Sequence, residues 1–182
     1  DEVYSGADRN WIPFFREGEN CITLSSLTKV HGLGQIRYGW MIASKDIIEN
    51  AENTFHNMAG IMSSPVIRIA EQIKDRLHEP VELIEYYREK NLPLLQEMLT
   101  RVGIEWIPPP YGVFGAFRVP GVDTMEMIDT IGKTHGLLAV PGCMFDSGLE
   151  EWLRIGWSID PESFAKAVIV LEKVLLTAIN IT

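Results

Sequence analysis

Residues 79–103, "EPVELIEYYREKNLPLLQEMLTRVG", limit what this chain can fold into more than any other stretch. Apolar residues recur at helical spacing through Ile84, Tyr87, Leu95, Met98 and Val102, which predicts one long amphipathic helix. Pro93 lies inside it. An interior proline removes a hydrogen bond and costs about 3 kcal/mol. A kink at that point, or a restart with Asn91 as the new cap, is therefore expected. The helix also marks the expected domain boundary, near residues 78–80, where it leaves one unit for the next.

On the N-terminal side, "CITLSS" and "IRYGWMIAS" read as short buried strands joined by "LTKVHGLGQ". Ser44 is placed to cap a helix through Ile47, Ile48, Ala51 and Phe55. Ser64 followed by Pro65 starts another, with Val66, Ile69, Ile73 and Leu77 on its apolar face. On the C-terminal side the pattern predicts strands at "IEWI", "VFGAFRV", "LLAV" and "WLRIGWS". One helix from Asp123, with capping-box spacing to Glu126, separates them, and a last helix begins at Asp160 and Pro161. That half reads as an α+β layer, a small sheet with helices packed on it.

Composition removes several function classes. A chain of 182 residues with 46% hydrophobic content can bury a substantial core, as one large domain or two small ones. Its 25 acidic against 16 basic residues, a formal net charge of −9, argue against nucleic acid or an anionic membrane as partner. No apolar run is long enough to span a bilayer, and no cleavable leader is visible in "DEVYSGADRN". Cys21 and Cys143 lack metal-site spacing and the four histidines are scattered, so no metal is expected. Buried thiols in a reducing cytoplasm are the simplest account of the two cysteines.

The chemistry concentrates in "SSLTKVHGLGQIRYGW", residues 25–40. Ser26 and Lys29 match the S-x-x-K pattern of acylating serines, which needs a helix to place both on one face. Two glycines within five residues of Lys29 make that helix a poor expectation, and the companion motifs are absent. A dinucleotide loop fails as well, because Arg37 stands where G-x-G-x-x-G needs glycine. The remaining chemical possibility takes Lys29, Arg37 and the hydroxyls together. A lysine amine can condense with an aldehyde, as in proteins that hold pyridoxal phosphate, whose phosphate needs a guanidinium or several N–H and O–H donors. A protonated pyridine nitrogen needs a carboxylate beside it, for which Asp1 is a candidate, with Tyr4 for the phenolic oxygen.

"DEVY", "SSLTK…RYG", "PPYGVFGAF", "VPGCMF" and "LRIGWS" occur here in the order found in class I/II aminotransferases. The chain resembles the C-terminal half of such an enzyme, of the aspartate-aminotransferase-like fold type I group of pyridoxal phosphate enzymes. The resemblance implies an α/β fold: residues 1–79 as the C-terminal part of the large cofactor-binding domain, and residues 80–182 as the small C-terminal domain. It implies Lys29 as the Schiff-base lysine and proton-transferring base, Asp1 on the pyridinium nitrogen, and Tyr4 on the phenolic oxygen. It further implies Ser26 and Arg37 on the phosphate, and Arg154 on the substrate's α-carboxylate. An amino acid and a 2-oxo acid would be the substrates, in a cytoplasmic homodimer.

Members of that family are about twice this length. The resemblance therefore implies further residues upstream, including a phosphate loop, the aromatic that stacks on the cofactor, and much of the dimer interface. Alone, the 182 residues would be inactive or a non-catalytic domain. Carbon–sulfur lyases and aminocyclopropane-carboxylate-type synthases use the same lysine and cofactor and stand as alternatives.

Overall fold

The computed structural model describes residues 1–8 and 10–181. The chain divides into two compact units, Asp1–Ile84 and Glu85–Thr182. In the first, β1 (Thr23–Ser26) and β2 (Gly39–Ile42) form an antiparallel hairpin, with Thr23 opposite Ile42 and Ser26 opposite Gly39. The second strand is shorter than "IRYGWMIAS" suggests. Residues Gly34–Ile36 form a 3-10 turn, and Arg37 then adopts a left-handed backbone at φ 55°, a conformation that cannot extend a ladder.

Helix α1 (Lys45–Met58) starts at Ser44 as expected, although the Ser44 hydroxyl makes no capping bond. Helix α2 (Ser64–Ile73) carries Pro65 in its first turn, where a missing N–H costs nothing. The expected apolar faces exist but are poorly covered. Helix α1 buries none of its residues and α2 buries only Ala70. No described helix is long and apolar enough to cross a membrane.

Helix α3 (His78–Arg101) continues through Pro93, so the restart expected at Asn91 does not form. Pro93 frees the carbonyl of Glu89, an exposed residue, and water can satisfy that oxygen. Asn91 is not a cap. It is fully buried, and its amide donates to the carbonyls of Trp157 and Ile159, each at 2.8 Å.

The second unit is built on a three-stranded antiparallel sheet, ordered β3 (Phe114–Arg118), β5 (Trp152–Gly156), β4 (Val140–Pro141). Two predicted strands are corrected. "IEWI" joins no ladder; instead the Trp106 indole donates to the Ala116 carbonyl at 3.0 Å and its ring packs against Phe117 and Trp157. "LLAV" pairs only at Val140–Pro141, because the Leu137 amide is taken by the Gly132 carbonyl of the preceding helical turn.

Helix α4 (Thr124–Met127) is capped by Asp123, whose carboxylate accepts from the amides of Met125 and Glu126, and it widens into a π-helical turn at Ile128–Gly132. Helix α5 (Pro161–Ile181) begins where Asp160 accepts from the Ser163 amide at 2.9 Å. The core joins Leu95, Met98 and Leu99 of α3 to Phe117 and Leu153 of the sheet and to Phe164, Leu171 and Leu175 of α5. Each such side chain contributes roughly 1.5–3 kcal/mol on burial.

Candidate functional site

The turn that carries Lys29 is closed by its own backbone. The Leu27 amide donates to Tyr38 O at 3.0 Å, Leu33 to Leu27 O at 2.9 Å, and Gly32 to Lys29 O at 3.1 Å. Gly32 sits at φ 68°, where a side chain would be strained. Leu27 and Val30 turn inward and are buried, while Lys29 between them is exposed. Among the described residues its amine makes no hydrogen bond or ion pair. Ser26 ends a strand and Lys29 lies in a turn, so no helix face joins them and the acylating-serine arrangement is absent.

Ser26 and Arg37 flank this turn. The Ser26 hydroxyl accepts only a long bond from the Thr28 amide, at 3.3 Å. Arg37 is exposed, and one of its terminal nitrogens donates to Gly34 O at 3.3 Å. The register that sets Ser26 opposite Gly39 brings the end of β1 against the segment that carries Arg37. A non-glycine residue at positive φ is a strained feature, and it falls on a guanidinium in the same hairpin connection as a free amine.

Asp1 and Tyr4 lie on a segment bonded to the same hairpin. The Asp1 carboxylate is exposed and accepts from the Val3 amide at 3.2 Å, and Tyr4 is half-buried. What fixes this segment is Glu2. Its amide donates to Leu24 O at 2.7 Å, and its buried carboxylate accepts from the Phe14 amide at 2.7 Å and the Thr23 hydroxyl at 3.1 Å. Sequence reasoning passes over Glu2 because D-x-x-Y spacing points to the outer pair. The Ser5 hydroxyl also donates to the Glu2 main-chain carbonyl at 2.7 Å.

His31, two residues beyond Lys29, carries no role in the sequence reading. It is half-buried, its Nδ1 has no partner, and desolvation lowers its pKa below the ordinary histidine value, partly offset by a bond to the Leu77 backbone. The two cysteines are free and only half-buried, which corrects the expectation of buried thiols.

Arg154 belongs to the second unit. It stands on the central strand β5, with Ala116 opposite on β3 and Val140 opposite on β4. Its guanidinium carbon lies 3.8 Å from the centre of the Phe114 ring and 5.5 Å from that of Phe145. A cation over aromatic faces gains about 0.5–2 kcal/mol, depending on desolvation. Among the described residues no carboxylate pairs with it. Among the described residues its N–H groups also make no hydrogen bond, which leaves them for an acceptor from outside the chain.

The mixed helix-and-sheet architecture is that of the C-terminal portion of the aminotransferase fold. An aspartate aminotransferase from Thermotoga maritima superposes with a TM-score of 0.80 at 16% identity, over 97% of this chain and 47% of its own. An α-aminoadipate aminotransferase from Thermus thermophilus, complexed with N-(5'-phosphopyridoxyl)-L-leucine, gives 0.79 at 21% identity, over 100% of this chain and 49% of its own. The chain belongs to the family aminotransferase class I and II, which matches residues 1–171. The aspartate aminotransferase of Streptomyces avermitilis is 24% identical over 97% of this chain and 46% of its own length. The histidinol-phosphate aminotransferase of Akkermansia muciniphila is 26% identical over 96% and 46%. The chain thus spans about half the length of the relatives it matches.

Proposed function

We propose that this chain carries the cofactor lysine and the carboxylate-binding arginine of a pyridoxal phosphate-dependent aminotransferase acting on an amino acid and a 2-oxo acid. The observation that carries the proposal is the hairpin turn, where an exposed amine with no partner stands between a weakly engaged hydroxyl and a weakly engaged guanidinium. That donor set fits the group the family uses. Lys29 would hold the cofactor through its amine, Ser26 and Arg37 its phosphate, Asp1 its pyridine nitrogen, and Tyr4 its phenolic oxygen. When bound, pyridoxal phosphate supplies an electron sink that acidifies the α-hydrogen of an amino acid.

The chain's own residues then have defined tasks. Lys29 Nζ, once uncharged, would take the proton from the substrate's α-carbon and pass it to the cofactor's carbon, the shift that transfer of the amino group requires. Asp1 keeps a proton on the nitrogen beside it by favouring the charged form. Arg154 grips the α-carboxylate through two parallel bonds and so fixes the substrate's orientation. The domain assignment follows the same reading, with residues 1–79 on the cofactor side and residues 80–182 as the small domain. The apolar side chains left exposed on α1 and α2, including Phe55 and Met58, suit a surface covered in the complete enzyme, a homodimer. Turnover is expected from that complete enzyme and not from these residues alone.

An absorbance titration tests the proposal. The chain with pyridoxal phosphate should develop the yellow band of a lysine-bound cofactor, and adding an amino acid should shift it. Lys29→Ala should show neither change. A band that survives in Lys29→Ala would refute the assignment.

A further inference from the structure

Beside Arg154 lies a cavity of about 370 Å³, within the range of small-molecule sites. Phe114, Ala116, Gly142, Phe145, Leu149 and Trp152 line it together with Arg154, the only charged lining residue among the described residues. Two small residues make the room. Ala116 faces Arg154 across the β3–β5 ladder, and Gly142 has no space for a side chain, since a Cβ there would come within 2.7 Å of the Trp152 Cβ. Phe145 remains 57% exposed and Trp152 36%, so apolar surface is left open next to the cation.

We propose that this cavity takes the side chain of an apolar amino acid, aliphatic or aromatic, and of the matching 2-oxo acid. The inference rests on Arg154 holding the substrate carboxylate, as proposed above. The guanidinium lies over Phe114 and near Phe145, and among the described residues its N–H groups make no hydrogen bond, so a carboxylate can take them as a fork. The body of the ligand then lies against Phe145, Leu149 and Trp152. A substrate with a second carboxylate would bring that charge into the same cavity, where among the described lining residues no lysine, histidine or second arginine meets it. An unpaired charge against phenyl and leucine surfaces is strongly disfavoured. An apolar side chain loses water contact there and gains stability from it.

The test is a titration of the chain with hydrocinnamate, isocaproate, succinate and hydrocinnamyl alcohol, followed by NMR signals of the Trp152 indole and the Arg154 guanidinium. The two apolar monocarboxylates are expected to shift both signals and to bind about tenfold or more tightly than succinate or the alcohol. Arg154→Gln should erase the preference for acid over alcohol. Ala116→Leu, which fills the cavity, should weaken hydrocinnamate by about tenfold or more. Succinate binding as tightly as hydrocinnamate, shifts confined to other tryptophans, or no saturable shift would overturn the inference. Cofactor capture at Lys29 is read separately by absorbance. A chain that captures cofactor yet prefers succinate loses this inference alone; a chain that binds the apolar acids without capturing cofactor loses the lysine assignment.

Discussion

Of the two units, Glu85–Thr182 and Asp1–Ile84, the former is organised around apolar packing and the latter around hydrogen bonds. Every residue of the main hydrophobic core lies between positions 92 and 178, including Phe117, Leu153 and Trp157. Among the described residues of the first unit, only Ala7, Leu27, Val30 and Ala70 are buried apolar side chains. Its local order comes instead from the hairpin, the closed turn at Lys29 and the bonds gathered on Glu2. Bonds of that kind contribute about 0.5–1.5 kcal/mol each, somewhat more when a charge is involved. The contrast separates the proposed roles. The guanidinium proposed for the carboxylate is seated on the central strand of a sheet packed on the core, and the groups proposed for the cofactor are seated where little apolar burial holds them.

Paired truncations probe that difference most strongly. Leu153→Ala removes a fully buried side chain from the central strand and should cost about 2–5 kcal/mol in denaturant unfolding. Phe55→Ala, on a helix with no buried residue, should change stability by no more than about 0.5 kcal/mol. Similar losses from the two would break the comparison.

Arg37 offers a finer test, because its strain and its proposed task oppose each other. Arg37→Gly relieves the left-handed backbone and should raise the stability of the first unit by about 0.5–1 kcal/mol. The same change should weaken pyridoxal phosphate capture by about tenfold or more. A variant that loses both stability and capture would make the guanidinium a structural group.

The smallest expected effect is a pH dependence confined to the first unit. Burial lowers the pKa of His31, so the folded state favours the neutral ring. The unfolded chain then binds more protons between the lowered value and the ordinary one near 6.5. Stability from this group is complete above that ordinary value and is lost as pH falls through the lowered one. Protection of the amides in the Lys29 turn, taken relative to their intrinsic exchange rate at each pH, should fall on acidification below about pH 6.5, and His31→Phe should remove the dependence. Exchange that does not respond to pH beyond its chemical baseline would contradict it.

The parts of the fold legible in the sequence are those where local pattern and tertiary packing agree. Strands β3 and β5, helix α5 and the Asp123 cap fall where alternation, helical spacing and side-chain chemistry place them. The misses have tertiary causes. Trp106 makes "IEWI" read as a strand, yet its indole bonds to β3 while the segment joins no ladder and the Ile104 amide donates to Leu99 O at 2.9 Å. Pro93 is tolerated because Asn91, Leu95 and Leu99 anchor α3 to the core on both sides of it. At the site, the residue types and their order are readable, and so is the absence of a Ser–Lys helix. The left-handed Arg37, the Glu2 clamp and the two phenylalanines about Arg154 are not. Each depends on contacts between segments that sequence spacing does not report.

The central claim is that Lys29 is the point of cofactor attachment, and peptide mapping tests it most directly. The chain would be incubated with pyridoxal phosphate, reduced with borohydride and digested, and the modified lysines identified by mass. The expected result is one dominant pyridoxyl adduct, on Lys29. Labelling spread over exposed lysines such as Lys45 and Lys133, with Lys29 no more modified than they are, would contradict it.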